Sequence, residues 1–124
     1  MTATNNTIDT LAPNEVFVFG SNMAGAHGGG AALTALKKFG AVDGIGEGLV
    51  SQCYAFPTLN VDYTKRSEDE LVLSTMILRA TAEALPAVTF YLTKVGCGIA
   101  GFDEDYMKMF FTDMPPNGVK PEGW

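Results

Sequence analysis

The chain is 124 residues long, enough for one compact α/β or α+β domain and too short for two. With 47% apolar and 18% charged residues it lies outside the composition of disordered chains, and no apolar run approaches the ~20 residues of a membrane span. Fourteen acidic against eight basic side chains give a net charge of −6, and the bases are too scattered for binding to a nucleic-acid duplex through its phosphates.

Residues 1–13 read as a flexible lead-in without the basic start or apolar stretch of a signal peptide, so a cytoplasmic location is expected. Glu15-Val-Phe-Val-Phe19 is a short β-branched and aromatic run, read as a buried strand stopped by Gly20. From Ala31 to Phe39, apolar residues at Ala32, Ala35, Leu36 and Phe39 trace one face of a helix. Lys37 and Lys38 suit its last turn, and Gly40 suits the position after its end. Gly44-Ile-Gly-Glu-Gly48 is read as a flexible tract. Gln52-Cys-Tyr-Ala-Phe56 is a second strand ended by Pro57. Ser67-Glu-Asp-Glu70 has the form of a capping box and opens a helix through Leu85, ended by Pro86. Its apolar line is Leu71, Ser74, Leu78, Thr81 and Leu85. Leu73, Ile77, Ala80 and Ala84 lie beside it and widen the expected face. Val88–Val95 is nearly all apolar, which predicts an inner strand covered on both faces. Asp103 caps a helix to about Phe111, and Val119 begins a short edge strand. Strands alternating with helices in this order predict a mostly parallel sheet with helices on its faces.

Two loops carry the chemistry. Gly20–Gly30 contains five glycines and joins a strand to a helix. At such strand ends ligands bind in open α/β sheets, and glycines let backbone N–H groups face an anion. A tight turn would need only one or two of them. The loop matches neither the dinucleotide fingerprint nor a P-loop. Gly96-Cys-Gly-Ile-Ala-Gly101 again follows a strand and precedes a helix, so the two loops are expected to face each other across a cleft suited to a diphosphate or a phosphate-linked sugar. Asp103, Glu104 and Asp105 repel an anion from the following helix start, which leaves the glycine amides as its seat.

The side chains of these loops admit two readings each. His27 is the only histidine and reads either as a donor or general base, or as an exposed loop side chain. Asn22 would bond a ribose hydroxyl or close an Asx turn. Phe102 would stack on a base or plug the core. Cys97 is favoured as structural, and Cys53 as core. Lys94 is a candidate to neutralise phosphate. Asp43 and Glu47 are the carboxylates nearest the first motif. Two cysteines and one histidine without a Cys-x-x-Cys argue against a disulfide framework or a zinc site, and no metal or cofactor is expected.

These residues carry a resemblance. Gly20-Ser-Asn-x-x-Gly-x-His-Gly-Gly-Gly-Ala-Ala32 resembles the Asn-rich to Gly-Gly-Gly loop of macrodomains, and Gly96-Cys-Gly-Ile-Ala-Gly-Phe102 looks like their second phosphate loop. More closely, Val16–Phe56 with residues 88–102 is similar to a small uncharacterised family of bacterial and phage-associated proteins. That family shares Phe-Gly-Ser-Asn, His-Gly-x-Gly-Ala-Ala, Gly-Glu-Gly-Leu and Gly-Cys-Gly-x-Ala-Gly.

The macrodomain resemblance implies a minimal three-layer α/β/α sandwich over residues 14–124, with a mostly parallel or mixed central sheet. It implies a site for ADP-ribose or a related nucleotide, with hydrolysis of an ADP-ribosyl bond as an extension. By position, Asn22 would lie near the distal ribose and Gly28, Gly29 and Gly30 near that ribose and the diphosphate, with Ser21 a ligand-binding candidate beside them. Gly98, Ile99, Ala100, Gly101 and Phe102 would wrap the diphosphate from the other side, Gly96 and Cys97 are ligand-binding candidates beside them, and Asn22 and His27 would place a water. The usual Asn-Ala-Ala-Asn string is reduced here to Ser21-Asn22, and His27 precedes the glycines rather than following them. Two other expectations share the same loops: a non-catalytic, phage-type sponge that sequesters a nucleotide immune signal, and a protein-interaction module whose glycines serve shape alone. No membrane partner is expected.

Overall fold

The structure, a computed structural model, describes residues 8–124, so positions 1–7 of the expected lead-in lie outside the described residues. The remainder of that segment is docked. Ile8 and Leu11 pack against the core, and the Lys38 ammonium meets Asp9 at 2.8 Å.

Side-chain alternation along the first strand sets the layers. In β1 (Glu15–Asn22), Val16 and Val18 face one side and Phe17 and Phe19 the other, and all four are buried. A strand buried on both sides belongs at the middle of a sheet. The other strands are β2 (Gly48–Val50), β3 (Cys53–Leu59), β4 (Thr89–Leu92) and β5 (Gly118–Val119). Their spatial order is β2-β3-β1-β4-β5. β3 and β4 run parallel to β1, β5 runs parallel to β4, and only β2 is antiparallel to its neighbour.

The Phe17/Phe19 face is covered by α1 (Gly30–Thr34), which continues through Ala35–Phe39 as a π turn and buries Ala32, Ala35 and Phe39. Gly40 ends it at φ 83°, the left-handed residue expected there. The opposite face is covered by α2 (Glu68–Ala84) and α3 (Glu104–Lys108), the latter running into a 3₁₀ turn at Met109–Phe111. Leu71, Leu78, Met107 and Phe111 pack there on Val16, Val18, Phe56, Phe90 and Leu92. The fold is thus a three-layer α/β/α sandwich with a mixed, mostly parallel central sheet. No helix among the described residues is long and apolar enough to cross a membrane.

Several boundaries differ from the sequence reading. β3 runs through Pro57 to Leu59 instead of ending at the proline. β2 flanks it only along Cys53–Ala55, so at Pro57 one side of the strand is open and the missing N–H breaks no ladder there. This longer β3 gives Gly20, Ser21 and Asn22 partners in Phe56, Pro57 and Leu59, and β1 therefore extends into the first glycine loop. The tract expected to be flexible ends in β2, which turns into β3 through Ser51 at φ 53°.

β4 is four residues long and is fully covered on one face only. Phe90 and Leu92 are buried, whereas Thr89 and Tyr91 are half-buried because α1 lies over β1 and β3. The wide apolar face of α2 is also corrected: Leu73 and Ile77 are 55% and 41% exposed, and Leu85 is exposed too. Ser74, on the expected line, is buried and joins a polar relay described below, and Thr75 takes an inward position off that line, its hydroxyl donating to Leu71 O at 2.9 Å.

The capping box is formed in both directions. Glu70 N–H donates to Ser67 Oγ at 3.2 Å, and Ser67 N–H donates to Glu70 Oε1 at 2.8 Å. That second bond, with the Ser67 side chain, holds the Glu70 carboxyl below its ordinary value. Ser67→Ala is expected to lower stability by about 1 kcal/mol in urea unfolding at neutral pH. A carboxyl whose pKa is depressed by folding stabilises above its ordinary pKa and loses that contribution as pH falls through the folded value. The stability gap between wild type and Glu70→Ala is therefore expected to narrow once the pH drops below about 4.

Candidate functional site

The segments leaving β1 and β4 converge beyond the carboxyl ends of these neighbouring parallel strands. Between them lies a cleft of about 790 Å³, lined by Asn22 and Gly28–Gly30 on one side and Gly96–Ala100 on the other. Thr58, Leu59 and Tyr63, from the exit of β3, complete the wall. Ile99 reaches across, its Cδ1 standing 3.4 Å from where a Cβ at Gly29 would sit. Among the described residues, none accepts a hydrogen bond from the N–H groups of Gly28, Gly29, Gly98, Ile99 or Ala100.

The glycines fall into two groups. Some are demanded by the fold. A Cβ on Gly25, itself at φ +71°, would lie 2.4 Å from the Gly44 carbonyl carbon, and one on Gly96 would press on Phe102, Thr58 and Met107. Others answer no internal need. Gly28, Gly29 and Gly98 lack the positive φ that favours glycine; Gly28 and Gly98 face open space, and Gly29 meets only Ile99 at ordinary contact distance. All three line the cleft.

The first loop is held from behind by the 41–47 tract. Gly44 N–H donates to Gly25 O at 2.8 Å, and the Ser21 hydroxyl donates to Gly46 O. His27 is 1% exposed, with Nε2 at 3.1 Å from Val42 O and 3.0 Å from Ile45 O. Carbonyls only accept, so Nε2 carries the proton. Nδ1 is buried without a partner, and the ring edge meets Phe19 at 5.3 Å between centroids. His27 is not part of the cleft lining: the expected catalytic imidazole is a fastener of the loop. Asn22 lines the cleft, but its amide is committed to Ala26, accepting from N–H at 3.0 Å and donating to O at 2.9 Å.

Other candidates are likewise engaged. The Lys94 ammonium pairs with Glu104 at 3.0 Å, both at the cleft. Burial, with the charge of Glu104 adding to it, pushes the Cys97 thiol up to about 11, which removes it as a nucleophile at neutral pH. Burial pushes the core thiol of Cys53 to about 11 as well. Gly101 and Phe102 stand outside the cleft wall. The Phe102 ring stacks on Tyr106 at 5.8 Å beneath the loop, with the Lys65 ammonium 5.0 Å from its centroid, so Phe102 is a core plug. Asp43 accepts from His27 N–H at 3.4 Å and Glu47 from the Ser74 hydroxyl at 2.7 Å, so both are structural. Among the described residues, no group of three or more His, Cys, Asp or Glu side chains is placed to hold a metal ion.

Sequence reasoning missed the β3 exit. Buried Arg66 fastens it: its Nη1 donates to Ser74 Oγ at 2.6 Å and to Pro57 O at 3.4 Å, and its N–H donates to Thr58 O at 3.0 Å. The usable signal was topological, since β3 is parallel to β1 and ends at the same edge of the sheet. Comparison of the chain with protein-family models, curated proteins and solved structures yields no match.

Two outcomes follow from this geometry. Gly25→Ala is expected to lose about 2 kcal/mol or more through overpacking against Gly44 at a left-handed position, whereas Gly98→Ala should gain a few tenths, about 0.4–1 kcal/mol, by restricting the unfolded chain. Denaturant titration of both variants separates structural from free glycines. Iodoacetamide should label Cys97 far more slowly than free cysteine at neutral pH, with a rate that climbs as the pH is raised toward 11.

Proposed function

We propose that the cleft binds a phosphate-bearing, nucleotide-derived ligand such as ADP-ribose, and that the chain is a minimal macrodomain-like protein. One observation carries the reading: Gly28, Gly29 and Gly98 have no conformational or packing reason to be glycine, yet all three border the same cleft. Bare main chain at those positions leaves amide donors accessible to an anion from two sides, and neutral amides suit a chain whose net charge is −6. The α/β/α layering and the loop motifs quoted above agree with the macrodomain resemblance.

Binding without turnover is the form we favour. Hydrolysis needs a group in the cleft to position or deprotonate water. The Asn22 amide is spent on Ala26, His27 faces the Val42 and Ile45 carbonyls behind the loop, and Glu104, among the described residues the one carboxylate of the wall, is paired with Lys94. This favours a sequestering protein of the phage-sponge kind over an ADP-ribosyl hydrolase.

Calorimetric titration tests the proposal. Wild-type protein is expected to release or absorb heat with ADP-ribose, and chromatography afterwards should recover the nucleotide intact. Gly29→Leu should keep its melting temperature within about 2 °C, because φ there is ordinary and only Ile99 is nearby, while losing binding at least about 10-fold. Equal affinity in this variant and wild type would refute the cleft as the site.

A further inference from the structure

Among the described residues, the one aromatic side chain lining the cleft is Tyr63, which enters from the β3 side. The residue is 56% exposed and its backbone sits at φ 65°. A bulky residue in the left-handed region is a real outlier, because its Cβ crowds the following carbonyl, and glycine or asparagine would occupy the position without that strain. The strain is held by the turn around it. Tyr63 N–H donates to Asn60 O at 2.9 Å, and Asn60 N–H to Thr64 O at 2.8 Å. The Thr64 hydroxyl donates to Asp62 at 2.6 Å, and Leu59 pairs with Lys65 to close the loop. A rigid turn therefore holds an exposed aromatic ring at the mouth of a cavity. Nothing in the core uses that ring, and no ring contact ties it down among the described residues.

Position supplies the ligand chemistry. The two glycine stretches follow β1 and β4, while Tyr63 follows β3 on the far side of β1. Adjacent strands lie about 4.8 Å apart, so β3 and β4 are separated by about 10 Å across the cleft. That span matches a nucleoside with its phosphates over the glycines and its base over β3.

We infer that Tyr63 is the base-stacking platform of this site, so that the ligand is a nucleotide carrying a planar base rather than a sugar phosphate alone. The inference rests on the cleft reading above and extends it, because the amides recognise phosphate and Tyr63 recognises the base. It also gives to Tyr63 the stacking role that Phe102, half-buried and stacked on Tyr106 outside the cleft wall, does not fill.

The test uses ADP-ribose and base-free ribose 5-phosphate as probes, with three proteins: wild type, Tyr63→Phe and Tyr63→Gly. Glycine relieves the left-handed strain, so loss of the ring is read in a protein at least as stable as wild type. Expected is tighter binding of ADP-ribose than of ribose 5-phosphate by wild type and Tyr63→Phe. In Tyr63→Gly, ADP-ribose should weaken about 10-fold while ribose 5-phosphate is unchanged. Upfield ring-current shifts of the adenine H2 and H8 protons should appear with the two aromatic proteins and vanish with Tyr63→Gly. Unchanged ADP-ribose affinity in Tyr63→Gly, or an equal loss for both probes, overturns the stacking role alone. Failure of wild type to bind either probe overturns the cleft reading and this inference together.

Discussion

The first glycine loop cannot hold its shape alone; it is set by a second segment of backbone pressed against it. Gly25 approaches the Gly44 backbone so closely that a Cβ on Gly25 would lie 2.4 Å from the Gly44 carbonyl carbon, and Ser21 and His27 bind the carbonyls of Gly46, Val42 and Ile45 in the same tract. These partners lie behind the loop, and residues 28–30 line the cleft. The same tract leads into β2, which pairs with β3, so the loop is tied to the sheet through two independent paths. Loops usually carry function on a mobile backbone. Here hydrogen bonds and close packing make the loop part of the scaffold, which is what preorganised main-chain recognition requires.

Much of the architecture was legible because it depends on local chemistry. Ser67 and Glu70 announced a helix start, Gly40 a helix end, and Asp103 a second cap, all realised through side-chain or left-handed backbone geometry. What local pattern could not give was the effect of neighbours. Pro57 stays in a strand because β2 is short, and Leu73 and Ile77 are exposed while Ser74 and Thr75 are buried with polar partners. Both outcomes depend on elements distant in sequence.

The site divides along the same line. Two glycine-rich stretches at strand ends were visible, and they do border one cleft. Which glycines serve the fold and which face the cavity was not visible, since composition is silent on close approach. His27 shows the limit best. A lone histidine between glycines invites a catalytic reading, yet its partners are carbonyls fifteen and eighteen residues away. Tyr63 shows the converse: nothing in Val61-Asp-Tyr-Thr64 marks a cleft residue until the backbone turns left-handed and Tyr63 joins the cleft wall.

An acidic chain that holds an anion needs donors that do not depend on net charge. A lysine in the cleft would supply attraction, but Lys94 is matched by Glu104, which leaves that part of the wall near neutrality. Amide dipoles act over short range and discriminate by geometry, so a phosphate placed between both loops gains several donors while a diffuse negative surface gains few. On the proposed reading, the surrounding charge of −6 would work as a filter. Polyanions such as duplex nucleic acid would be repelled as wholes, whereas a small ligand with its charge concentrated on one or two phosphates would be enclosed. A flat ring at the uncharged end of such a molecule is the natural complement to this arrangement, because stacking adds affinity without adding charge.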